Sequence, residues 1–125
     1  MEYTFSLDHK NKIIRYKHSG KLKMEDLGKA WDDFLKIEEF TLGGYNLLSD
    51  YTEAIFDMGV EAVDEIVKIL DSMGPVLHGK KQSIIVEDPY SMAGSILFEK
   101  ISHNKLAFKI KIFSTEEAAL KFLLS

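Results

Sequence analysis

The chain has 125 residues, 46% of them hydrophobic and 29% charged, the proportions of one globular domain able to bury a core without staples. Sixteen basic against twenty acidic side chains leave a net charge of -4 and a pI near 5.5, which argues against a nucleic-acid partner, since binding a polyanion needs a basic surface. Cysteine is absent, which excludes disulfides, thiolate metal sites and thiol nucleophiles, and neither a signal-peptide pattern at Met1–Asp8 nor an apolar run of the roughly 20 residues that cross a bilayer is present.

Tyr3, Phe5 and Leu7 alternate with Thr4, Ser6 and Asp8, the period of a half-buried strand. Lys12 to His18 reads as a second strand, joined to the first by His9-Lys10-Asn11, and Ser19-Gly20 is expected to break it. From Met24 to Ile37, Met24, Leu27, Ala30, Trp31, Phe34 and Leu35 fall at helical spacing, with Glu25 and Asp26 in the first turn where the helix dipole favours them. Trp31 and Phe34 are expected in the core, with a self-association face, and so a homodimer, as the other reading. Gly43-Gly44 opens a third strand running through Tyr45 to Asp50, and a loop follows. A second helix spans about Gly59 to Met73, with Val60, Val63, Ile66, Val67 and Leu70 inward and Asp57 placed to cap it; Gly74-Pro75 ends it and Lys80-Lys81 lie in the next turn.

Ser83 to Glu87 forms the fourth strand, whose Ile84-Ile85-Val86 run suits a strand covered on both faces. Asp88-Pro89 starts a third helix that should carry Met92, Ile96, Leu97 and Ile101 inward and stop near His103-Asn104. Ala107 to Phe113 alternates as a fifth strand with lysines on its open face, and Ser114 with Glu117 forms a capping box for a last helix through Leu124. The expectation is one α/β domain over residues 1–125: a mixed five-stranded sheet in the order 1-2-3-4-5, strand one antiparallel, with four helices.

This element order resembles that of the SpoIIAA-like (STAS) domains, in particular their STAS/Sec14-like bacterial branch. The tail Ile112-Phe113-Ser114-Thr115-Glu116-Glu117-Ala118-Ala119-Leu120-Lys121-Phe122-Leu123 looks like the strand and capped helix that close such chains. Leu47-Leu48-Ser49-Asp50, followed by Ile55-Phe56-Asp57-Met58-Gly59, lies where anti-sigma-factor antagonists carry an Asp-Ser-Ser-Gly phosphorylation motif. Met58 stands at the place of the serine, and a thioether accepts no phosphoryl group, so the resemblance implies a domain without the usual phospho-switch. Ser49 and Thr52 are the nearest hydroxyls, and nothing marks either as a kinase target.

Ligands of open parallel sheets meet the carboxyl ends of the strands. The residues expected there are Asp50, Tyr51, Thr52, Glu53, Phe56, Asp57, Met58, Glu87, Asp88, Tyr90, Ser91 and Met92, with Glu116 and Glu117 on the same rim. Lys21, Lys23, His78, Lys80, Lys81 and Lys105 are expected on the opposite rim, a division that helix dipoles by themselves also produce. An acidic rim opposes a phosphate ligand, and Gly43-Gly44 precedes a strand instead of following one, so nucleotides are disfavoured. Asp50, Glu87 and Asp88 offer oxygens to a hard cation, but Asp88 already serves as a cap; His9, His18, His78 and His103 lack ligand spacing and are expected in loops or at the surface. No metal and no cofactor is expected.

Ala54-Ile55-Phe56-Asp57-Met58 is apolar between a strand end and a helix start, where it either staples the helix entry or contacts a partner. The favoured expectation is a cytoplasmic, non-enzymatic regulatory or protein-interaction module. It would act through Asp50, Tyr51, Thr52, Phe56, Asp57 and Met58 together with Asp88, Tyr90 and Met92. The alternative is a carrier of Sec14-like type, holding an apolar, lipid-like molecule between the second and third helices and the sheet. A pocket there favours the carrier; a flat surface with exposed Phe56 and Met58 favours the module. A small hydrolase or isomerase would need two of Asp50, Glu87 and Tyr90 within hydrogen-bond reach.

Overall fold

The alternation at the start of the chain forms β1 (Glu2–Asp8), antiparallel to β2 (Ile13–Leu22) in a computed structural model that describes residues 2–106 and 108–125. Parallel to β2 follow β3 (Asn46–Phe56), β4 (Lys81–Ile85) and β5 (Lys109–Phe113), so that order in space equals order in sequence, as expected. Among the described residues there are five α-helices and not four: α1 (Met24–Phe34), α2 (Glu38–Thr41), α3 (Glu61–Ser72), α4 (Pro89–Lys105) and α5 (Glu116–Leu123). The expected strand residue Ala107 lies outside the described residues, and so does the side chain of Lys105.

Crossovers of one hand that step one way across a sheet must all lie on one face. Accordingly α1, α3 and α4 pack with α2 over Ile14, Tyr16, Leu47, Tyr51, Ile84 and Ile110, the main core. The other face is covered by α5, whose Ala119 and Leu123 meet Ile13, Leu48 and Ile85. Ile84, Ile85 and Val86 are all buried, the outcome expected of a strand covered on both sides.

The helix expected through Ile37 stops at Phe34, because Ile37 takes an extended conformation and starts the four-residue α2. That helix drives Phe40 into the core. Gly43 and Gly44 end α2 instead of opening β3: a Cβ on Gly43 would sit 2.8 Å from the Glu39 carbonyl oxygen, and Gly44 has φ +74°, a conformation that disfavours a side chain. Two expected caps move. Asp57 is exposed and caps nothing, since α3 starts after Val60 without a side-chain cap. At α5 the cap is Thr115 and not Ser114, its hydroxyl accepting the Ala118 N–H at 3.3 Å.

The largest departure is at the second and third strands. Ser19-Gly20 does not break β2, and β3 does not stop at Asp50; both continue, pairing Lys21 with Ile55 and Leu22 with Phe56. Between the pairs Lys17–Asp50 and Ser19–Glu53, β3 advances one residue more than β2, a bulge. The Asp50 carboxylate stabilises it by accepting the Thr52 backbone N–H at 2.9 Å and the Thr52 hydroxyl at 2.7 Å. Gly20, at φ +82°, supplies the backbone geometry opposite. Because β2 runs parallel to β3, Lys21 and Lys23 lie on the same rim as Phe56, so the expected split into acidic and basic rims does not hold there.

Candidate functional site

The bulge decides what faces the helices. Without it, Tyr51, Glu53 and Ile55 would share a face. The extra residue shifts the phase, so that Tyr51 is followed on the helix side by Ala54 and Phe56, while Glu53 and Ile55 turn to solvent. The Tyr51 and Phe56 rings meet edge to face at 5.6 Å.

Above them lies a cavity of about 330 Å³. Leu22, Tyr51, Phe56, Gln82 and Ile84 of the sheet form its floor, Leu27 and Trp31 of α1 one wall, and Ala62, Val63 and Ile66 of α3 another. The remaining wall is α4, from Tyr90 to Phe98, and Met58-Gly59-Val60 close the side between β3 and α3. The space exists because α4 presents Ala93, Gly94 and Ser95 here, and small side chains leave a gap between helices otherwise held apart by Val63, Ile66 and Phe98.

This helix is turned only in part as expected. Ser91, Ser95, Phe98 and Ser102 form its buried face, while Ile96 and Leu97 are 40% and 37% exposed. Of the four apolar residues expected inward, Met92 and Ile101 are half-buried against the core and Leu97 borders the cavity, while small serines, with no hydrophobic signature, take the most buried face. Ser102 satisfies its hydroxyl within the helix, donating to the Phe98 carbonyl at 2.7 Å.

Of the expected site residues, the fold brings Tyr51, Phe56, Met58 and Tyr90 together around the cavity. Phe56 and Met58 are half-buried against the core and not displayed on a flat surface, and the Tyr90 hydroxyl donates to the Met58 carbonyl at 2.8 Å. The others stand apart. Asp50 and Thr52 are occupied with each other at the bulge, Asp57 is exposed, Asp88 caps α4, and Met92 packs against the core outside the cavity lining. Asp50 shares the face of Leu48, which packs with α5, and Tyr90 is bonded to Met58, so these two do not converge. Among the described residues, no three His, Asp or Glu side chains are grouped to hold a metal ion. No helix among them is long and apolar enough to cross a membrane.

Sequence reasoning missed Gln82 and Ser95, which border the cavity, and gave Leu22, Leu27 and Trp31 no role in it. Gln82 was hidden because β4 starts two residues earlier than its apolar run suggests, which puts Gln82 on the same face as Ile84. Its Nε2 donates to the buried Ser49 hydroxyl at 2.9 Å. Burial pushes the Tyr51 phenol well above its usual pKa, with Ser49 hydrogen bonding acting in the opposite direction, so Tyr51 is neutral. His18, expected near the surface, is fully buried beside this core, and its Nε2–H donates to the Lys21 carbonyl at 2.9 Å.

Asp88 has a structural role at the α4 wall, accepting the Ser91 backbone N–H at 2.9 Å. The hydrogen bond to Ser91 holds its carboxyl below the usual carboxylate range. A depressed folded pKa means that the stabilisation is complete above the unfolded value of about 3.9 and is lost as pH falls through the folded one. Asp88→Ala is expected to cost about 1 kcal/mol in urea unfolding at pH 7 and less in acid, where the protonated carboxyl gives up the charge-assisted part of the bond, whereas Asp88→Asn should retain most of the cap at pH 7. A pH-independent deficit for Asp88→Ala would contradict this assignment.

Comparison with solved structures gives a crystal structure of an uncharacterised protein from the DUF3478 family with a SpoIIAA-like fold, from Shewanella loihica PV-4. It superposes with a TM-score of 0.60 at 18% identity, covering 97% of this chain and 93% of that one. No family model and no curated protein matches the sequence. The fold of the chain is thus SpoIIAA-like, in agreement with the resemblance drawn from its element order.

Proposed function

We propose that the protein binds a small apolar molecule in the cavity between α3, α4 and the sheet, as a carrier. The observation that supports this reading is the cavity itself. Its volume of about 330 Å³ falls in the range of small-molecule sites, about 300–1,000 Å³, and its lining is apolar except for a few polar atoms. Since about 150 Å³ accommodates a benzene, this one accommodates about 13 non-hydrogen atoms, the size of a medium-chain amphiphile or a bicyclic terpenoid.

A protein-interaction module is the second reading. It draws on the SpoIIAA-like fold, on Val60 and Tyr90, which are 70% and 61% exposed at the cavity, and on Ile55, which is 64% exposed on the opposite face of β3. In either role Met58, half-buried in the lining, offers no phosphate acceptor. Native mass spectrometry of protein purified gently from its own cells separates the two. A retained mass of roughly 150–250 Da, the weight of about 13 heavy atoms, is the result expected of the carrier. A bare chain accompanied by a stoichiometric protein partner would favour the module.

A further inference from the structure

We infer that the ligand of this cavity is a neutral amphiphile whose hydrogen-bond donor, a hydroxyl or an amide N–H, enters first and meets Gln82 Oε1 at the floor. The inference deepens the carrier reading and rests on it. Gln82 is 4% exposed, its Nε2 is held by Ser49 at 2.9 Å, and its Oε1 is buried without a hydrogen-bond partner. Gln82 is also one of the residues that line the cavity, together with apolar floor residues such as Ile84 and Phe56.

A buried acceptor left unpaired costs on the order of 1–3 kcal/mol, and an apolar residue at this position of β4 would avoid that cost. A donor on the ligand would remove it. An ionised carboxylate has no proton to give, so a fatty acid in its charged form does not fit; an alcohol or an N-acyl amide does. The polar end then lies inside and the chain extends past Met58, Val60 and Leu97, which border the cavity on its helix side. That orientation is the reverse of a carrier that leaves its ligand's head group in water.

Trp31 is the only tryptophan and borders the cavity, so its fluorescence reports occupancy. Titrating the full chain with 1-decanol and with decyl methyl ether compares a donor with a ligand of the same shape that only accepts. In the wild type 1-decanol should bind about tenfold more tightly, the ratio expected when a buried orphan gains its partner. Gln82→Met keeps the volume and removes the acceptor, and it should bring the two ligands to within about twofold of each other. Saturable binding of both ligands with equal affinity to the wild type would overturn the inference and leave the carrier reading standing. A preference for 1-decanol that persists in Gln82→Met would overturn the assignment to Gln82. A Trp31 signal that responds to neither ligand would overturn both.

Discussion

Replacing Phe40 with alanine is expected to cost about 3–5 kcal/mol, a large part of the 5–15 kcal/mol by which domains of this kind are stable. The side chain is fully buried although its helix, α2, has only four residues. Its ring lies 6.1 Å from that of Trp31 and 6.3 Å from that of Phe34, and the Lys80 ammonium sits 5.1 Å from its centre. Lys80 is itself largely buried, and burial lowers its pKa. Truncation therefore removes aromatic packing and also leaves the ammonium with its apolar surroundings but without the π face that offsets them. A helix so short cannot hold itself together, so Phe40 is what fixes it to the core, against Trp31 and Phe34 of α1. Urea unfolding should show a lower midpoint with an unchanged slope. A loss below about 1 kcal/mol would mean that α2 is detachable and that the core closes behind it.

Gly94→Phe should stabilise the protein while abolishing binding. A Cβ built on Gly94 meets nothing within 4 Å, the residue lies within α4, and it borders the cavity. A phenyl group of benzene's size would fill about half of the 330 Å³. Burying it contributes about 2 kcal/mol, and leaving glycine behind in a helix interior adds about 0.5 kcal/mol more. A small part of this is offset by fixing the ring's rotamer. The thermal midpoint should rise by several degrees, and the affinity for 1-decanol should fall by at least about tenfold. Stabilisation without loss of binding would locate the ligand elsewhere. Destabilisation would mean that the helices close over the space in solution and that the ring is overpacked.

Much of the architecture could be read from local pattern. Period-2 alternation marked β1 and β5, the Ile84-Ile85-Val86 run marked a strand covered on both sides, and Asp88-Pro89 marked the start of α4. These signals are legible because each depends on neighbours a few residues away: a cap, a turn, or the spacing of one apolar face. The strand order followed as well, since crossovers of one hand leave few alternatives. Tyr51, Phe56, Met58 and Tyr90 could be assigned to one region on the same grounds, from their places near strand ends.

What sequence reasoning could not supply was the space between these elements. A bulge in β3 is defined by its pairing with β2, and so the phase that turns Phe56 inward and Ile55 outward is invisible in either strand alone. The serines of α4 carry no hydrophobic signal, yet they face the sheet, because the crowding by α3 and the sheet decides which side of a weakly amphipathic helix is buried. Gln82 was just a polar residue before an apolar run until β4 placed it beneath a cavity with one amide atom satisfied and the other not. Sequence by itself determined the five strands and the four longer helices, their order and the fold class, because those rest on short-range propensity and periodicity; it did not show α2 or where β2 and β3 end. The cavity and its polar floor were decided by the tertiary structure, because a void is a property of what several distant segments fail to fill.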